Sequence, residues 1–262
     1  MEHKTYTRLR QVCLATENIR LSEGILARVL GLSPCHRSTL PDYGLENSLF
    51  VIGASFIELV APIEENTAVA RFLKKNNGLG GYMAIFDCED TALRKQLLNL
   101  QFIDIIAERQ GEKADLIQLD PRKTGLTMVE LDHHKEGRRR MDGYEWAGPN
   151  WQKHVYQAVV EDIVKFAFRC HDPIKKADQW RRFLITTKKQ APDKPATIAL
   201  DHGTLEFESC PTDAKEYFSE IHLITHSRKS VLQRAKEEQL ETAEDRFHFC
   251  GVDIVLIDSE TS

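Results

Sequence analysis

Apolar residues along the chain switch between two spacings, and the switch repeats. RQVCLA at 10–15 alternates apolar and other residues, as a half-buried strand does. Leu21, Ile25, Leu26, Val29 and Leu30 then recur at helical spacing. Asn18 stands where an N-cap belongs, and Gly31 where a helix stops. SLFVI at 48–52 and SFIELV at 55–60 predict two more strands. Gly53-Ala54 between them is short enough for a tight hairpin with glycine at positive φ. With a strand at 33–37, the unit reads β-α-β-β-β.

The same grammar returns three times. GYMAIFD at 81–87 is strand-like, Asp90 can cap, and Leu93, Leu97 and Leu98 mark a helix. Strands near 102–108, 116–119 and 126–131 follow, separated by the turn-rich QGEK and DPRKTG. A third round begins with KFAFR at 165–169, and Asp172-Pro173 opens a helix carrying Trp180, Phe183 and Leu184. Segments 197–200 and 204–208 make a hairpin across Asp201-His202-Gly203. A shorter fourth round has strands at 220–225 and 252–257 around a helix at 230–240. Residues 141–151 have no periodicity but hold two Trp, two Gly and one Pro, and read as a connector packed down by its aromatic residues.

The pattern predicts an α+β protein of four tandem βαβββ modules in two pairs, with cupped antiparallel sheets and helices outside. The expected organisation is a first domain at 1–137, a connector at 138–157 and a second, shorter domain at 158–262. One module cannot bury both faces of its sheet, whereas two together enclose a cup.

Composition narrows the function classes. The 262 residues are 42% hydrophobic and 29% charged, as in ordinary globular proteins. No stretch approaches the roughly 20 apolar residues of a spanning helix, and the charged start Met1-Glu2-His3-Lys4 is unlike a signal peptide. Six scattered cysteines without a CxxC pair predict reduced thiols in a cytoplasmic protein. A net charge of −5 provides no field for nucleic acid, so Lys135-Glu136-Gly137-Arg138-Arg139-Arg140 reads as a solvated linker. There is no P-loop, no GxGxxG after a strand and no GxSxG elbow.

The repeated grammar, with RQVCLATENI at 10–19, NSLFVIGASFIELVAP at 47–62 and IQLDPRKTGLTMVELD at 117–132, resembles the vicinal oxygen chelate superfamily. That superfamily includes glyoxalase I, bleomycin-resistance proteins, methylmalonyl-CoA epimerase and extradiol dioxygenases. GGYMAIF and GYEWAGPNWQ look similar to its uncharacterised two-domain members. The resemblance implies a site inside the cup, with one residue from the first strand and one from the last strand of each module. It also implies that modules pair within a chain or across a homodimer, and both stay open.

Counted back from the helix starts, the first-strand slots are Gln11, Met83 and Lys165, with His222 as the candidate in the fourth module. The last-strand slots are Glu58, Glu130, Glu206 and Asp253. Alternation supports the placement: if Ile57 and Leu59 pack on the first helix, Glu58 points into the cup. A carboxylate there needs a partner, which a metal, an arginine or a substrate could supply.

The resemblance implies that Gln11, Glu58 and Glu130 hold a divalent ion such as Ni, Zn, Mn or Fe. Glu58 or Glu130 would then be ligand or general base for a small oxygenated metabolite. The reaction is of isomerase, lyase or dioxygenase type. His222, Glu206 and Asp253 form a second candidate metal set, and Lys165 and Arg169 are candidate substrate cations. Lys165 could instead pair with Glu206. Met83 departs from the family pattern, because a thioether is a soft ligand. The other reading is a metal-free binding protein of the bleomycin-resistance type, in which Gln11 and Glu58 bond one another and Phe50, Phe56 and Trp146 form the walls. His133-His134, at a strand end, reads as a polar boundary.

Overall fold

The structure, a computed structural model, describes residues 5–186, 188 and 191–259. The charged tetrapeptide at 1–4 lies outside the described residues.

The first module runs β1 (Thr7–Ala15), α1 (Ile19–Leu30), β2 (His36–Leu40), β3 (Leu45–Ile52) and β4 (Ser55–Pro62). Its boundaries follow local chemistry. The Asn18 side chain accepts from the Leu21 amide and caps α1. Gly31, at φ 67°, ends the helix with its N–H on the Ala27 carbonyl. Gly53, at φ 62°, turns β3 into β4. The second module is β5 (Met83–Cys88), α3 (Thr91–Asn99), β6 (Ile105–Gln110), β7 (Ala114–Leu119) and β8 (Met128–His134). Two short helices stand beside these modules, α2 (Ala68–Asn76) and α4 (Pro121–Thr124). The sequence reading left α2 unassigned, and only Val69 of it is buried. The DPRKTG turn contains α4, capped by Asp120.

The third module has β9 (Val160–Cys170), α5 (Pro173–Leu184), β10 (Thr197–Ala199) and β11 (Thr204–Ser209). The fourth has β12 (Tyr217–Thr225), α6 (Arg228–Glu237), β13 (Arg246–Phe249) and β14 (Val252–Asp258). Among the described residues these two modules have two strands after the helix, one fewer than the repeat predicts.

The fold class is the expected one, with helices lying on mixed sheets of eight and six strands. Their orders are β2-β3-β4-β1-β5-β8-β7-β6 and β10-β11-β9-β12-β14-β13. In each module the last strand returns beside the first and pairs with it in parallel, so the sheets are mixed rather than purely antiparallel.

Compact units group the modules differently from the sheets. One unit comprises the chain through Arg10, Met83–Glu145 and Lys165–Phe218, which are the second and third modules. The other comprises Gln11–Tyr82, Trp146–Val164 and the chain from Ser219, which are the first and fourth.

In the unit of the second and third modules, Arg94 of α3 is fully buried. It donates to Glu89 at 2.6 Å and to the carbonyls of Leu184, Ile185 and Tyr6 at 2.6, 3.1 and 2.7 Å. Two of those carbonyls close the end of α5, where helical oxygens lack intrahelical partners. Phe166, Phe168, Trp180, Phe207 and Phe218 form an aromatic core beside it. In the unit of the first and fourth modules, Arg28 of α1 forks onto Glu238, just past the end of α6, at 2.5 and 2.7 Å. The turn between β13 and β14 meets Gly80, whose N–H donates to the Gly251 carbonyl at 2.8 Å. A Cβ on Gly251 would lie 1.9 Å from the Gly78 carbonyl oxygen, and its φ is +85°, so only glycine fits.

Replacing Arg94 by Met strands the buried Glu89 carboxylate. We expect a loss of about 3–5 kcal/mol in urea unfolding, much of it recovered in the Glu89→Gln/Arg94→Met double variant. Equal losses in the single and double variants would count against this account.

Candidate functional site

Strand parity fixes which side chains leave the helix-covered face. The Ser48 hydroxyl donates to Glu23 of α1 at 2.7 Å, so Ser48 faces that helix. Ser48 pairs with Leu59, which places Leu59 and Ile57 on the same face and Glu58 on the opposite one. Cys13 and Leu49 flank Glu58, and Gln11 pairs with Phe56 two residues away.

On that face Glu58 is 9% exposed. Its Oε2 accepts from Gln11 Nε2 at 2.8 Å and its Oε1 from Asn47 Nδ2 at 2.7 Å. The Asn47 amide is oriented by Ser38, whose backbone N–H donates to Oδ1 at 3.0 Å and whose hydroxyl lies 2.7 Å from it. Among the described residues no cation stands among the partners of Glu58. Burial raises its pKa, offset in part by hydrogen bonds from Asn47, Cys13 and Gln11. Trp151 meets Phe56 edge-on at 5.1 Å and supplies an apolar flank. Phe50, expected in the wall, pairs with Ile57 and therefore faces α1. Trp151, in the aromatic connector, is a tryptophan that meets Phe56.

Thus the structure joins Gln11 to Glu58. Glu130 belongs to the other unit, where it accepts from Gln118 Nε2 at 2.7 Å on the face shared with Ile85. The second expected set does not gather. Glu206 is taken by Lys165, while His222 Nε2 bonds Glu220 at 2.8 Å and His248 Nδ1 meets Asp253 at 2.9 Å. Arg169 pairs with Glu208 at 2.9 Å. Both expected substrate cations therefore have carboxylate neighbours on the adjoining strand. Among the described residues, no group of three or more His, Cys, Asp or Glu is placed to hold a metal ion.

Sequence reasoning missed a buried charged cluster in the unit of the second and third modules. Arg8 forks onto Asp87 at 2.8 and 2.9 Å, and Arg10 lies 3.7 Å from the same carboxylate. Arg10 also covers the Tyr144 ring at 4.6 Å, and Tyr144 packs on His134 at 4.3 Å. His134 is buried rather than a polar boundary, and its Nδ1 accepts from the Glu145 amide at 3.1 Å. Burial lowers its pKa to about 4. The basic run at 135–140 is not a freely solvated linker. Arg8 and Arg10 donate to the carbonyls of Gly137, Arg138 and Arg140 and pin its backbone. The available signal was Arg8 and Arg10, two cations two residues apart in a strand with no other charged residue.

No family model matches the chain. It is 29% identical over 137 residues to the uncharacterized protein YqjC of Bacillus subtilis, covering 49% of this chain and 97% of that protein. It is 26% identical over 128 residues to a mitochondrial methylmalonyl-CoA epimerase of Bos taurus, covering 48% of this chain and 73% of the epimerase. A solved hypothetical protein from Staphylococcus aureus superposes with a TM-score of 0.68 over 97% of this chain and 99% of its own, at 11% identity. That likeness extends over both sheets and shows the shared fold of tandem βαβ-type modules.

Because the folded Glu58 holds its proton to higher pH than the unfolded chain does, its contribution is present in acid and is lost as pH rises through the folded pKa. Glu58→Gln cannot ionise. Melting temperatures measured across pH should therefore show the variant gaining on the parent protein as pH rises from acid to neutral. A constant difference would contradict the placement.

Proposed function

We propose that this chain is a glyoxalase-like enzyme that moves a proton on a small oxygenated metabolite, with Glu58 as the group that takes and returns it. One observation carries the reading: a buried carboxyl held by two amides, with no cation among its partners in the described residues. Burial shifts its proton affinity toward the range in which one group both takes and gives a proton at neutral pH. Asp87 and Glu89, by contrast, are held by arginines, as structural carboxylates are. Similarity to an epimerase supports the same class of chemistry.

In this reading the Glu58 carboxylate removes a proton from a carbon beside a carbonyl. The released electron pair moves onto the carbonyl oxygen as an enolate. The proton then returns to carbon or to the neighbouring oxygen. Gln11 and Asn47 hold the carboxylate in one orientation, and their bonds to it are strongest when it is ionised. Glu130, with Gln118 beside it, is the corresponding carboxyl–amide pair of the second module and the second candidate of the same kind.

The family resemblance implies a divalent ion, and the donors can be tested against one. Gln11 and Asn47 both turn N–H groups toward Glu58, and Ser38 fixes the Asn47 amide in that sense. A hard cation needs oxygen lone pairs, and the two amides here present N–H groups instead. As arranged, this donor set does not fit a divalent ion, and no step above runs through one.

Deuterium uptake from heavy water tests the proposal. The panel is small acyl thioesters and hydroxy-carbonyl compounds, each assayed with chelator and with added Ni, Mn, Zn or Fe. We expect uptake into at least one compound and a loss of about 10²-fold or more in Glu58→Gln. Uptake unchanged in the variant would refute the role of Glu58. Uptake confined to the metal-loaded protein would refute the metal-independent reading.

A further inference from the structure

The fourth module carries a second constellation. Ile221, Leu223, Phe247, Ile254 and Leu256 form one buried face of its sheet. The opposite face carries ionisable groups in two rows. Glu220, Asp253 and His248 stand in register across β12, β14 and β13, and His222, Val255 and Arg246 form the next row. Glu220 and His222 are only 4% and 7% exposed, so this face is not a solvated charge ladder.

The bonds run in one direction. Arg246 lies against Asp245 at 2.8 Å and donates to Glu220 Oε1 at 2.7 Å. Glu220 Oε2 meets His222 Nε2 at 2.8 Å. With the Arg246 guanidinium on its other oxygen, Glu220 is an ion-paired carboxylate and can only accept. The proton of a neutral His222 therefore sits on Nε2, and Nδ1 keeps its lone pair. Among the described residues Nδ1 makes no hydrogen bond, and the His222 side chain keeps 9% of its surface exposed. An ionised carboxylate that orients an imidazole whose other nitrogen is open is the arrangement that activates histidine as a base or nucleophile.

We propose that His222, positioned by Glu220 and Arg246, is a metal-independent imidazole site acting through Nδ1 on a neutral or cationic small molecule. The charge preference follows from the side chains facing it. Glu220 and Asp253 share this face with Arg246, so its fixed charges sum to a net negative that disfavours an anionic ligand. The site stands on observations separate from those at Glu58.

Two probes test it on the full chain. Diethyl pyrocarbonate, read by peptide mass, reports whether Nδ1 is open and unprotonated. The neutral ester p-nitrophenyl acetate reports nucleophilic reactivity. There Nδ1 attacks the acyl carbon, p-nitrophenolate leaves, and water cleaves the acyl-imidazole to acetate, which regenerates the imidazole. We expect carbethoxylation of His222 in the native protein and a fall of about 10²-fold in the protein-catalysed ester rate in His222→Gln. Nitrogen NMR should show His222 as the Nε2–H tautomer, and that bias should be lost in Glu220→Gln. A native protein in which His222 resists the reagent while exposed His248 reacts would overturn the proposal without any variant. So would an ester rate unchanged in His222→Gln, or a tautomer indifferent to Glu220.

Discussion

Taking an ionised group out of water costs several kcal/mol unless another charge or a set of hydrogen bonds replaces the water. Much of this protein is arranged around that constraint. Arg94 is fully buried, yet it finds a carboxylate and three backbone carbonyls. Asp87 takes two arginines, and those arginines in turn gather the carbonyls of the following linker. Glu220 takes an arginine and a histidine. Each cluster ties segments that are distant in sequence, so the requirement for a charge partner also acts as a specification of packing.

Glu58 departs from that arrangement. Its partners are amides, which orient a carboxylate without fixing its charge. The distinction matters for chemistry. A carboxylate locked to a guanidinium is a poor base, because protonation would break a strong pair. One held by amides can gain and lose a proton with little rearrangement. The same contrast separates the two sites. At Glu58 the carboxyl itself is left free to change charge, whereas in the fourth module the carboxylate is fixed and the neighbouring imidazole is left open.

Repetition was legible because it rests on short-range signals. Asn18, Asp90 and Asp172 cap the helices they precede, and Gly31 and Gly53 adopt the left-handed backbone their turns need. Parity also placed Glu58 on the face away from α1, beside Gln11. What escaped the sequence were long-range choices of partner. Spacing offered the Lys165–Glu206 pair as an alternative, but could not show that His222 turns to Glu220, its neighbour two residues back on the same strand. Nor could it show that Arg8 and Arg10 reach forward to Asp87 and the chain beyond residue 136. Helix α2 does carry an apolar stripe, Val69, Phe72 and Leu73 at i, i+3 and i+4, but it lies outside the β-α-β-β-β repeat.

The grouping of modules within the compact units has a consequence for how the chain can be divided. The first module packs with the fourth and the second with the third, so a break in the aromatic connector would leave each fragment with one partner from each pair. Neither fragment would own a finished interior. Such halves are obliged to find one another again, and the order of synthesis leaves the first module waiting for the fourth before its packing is complete.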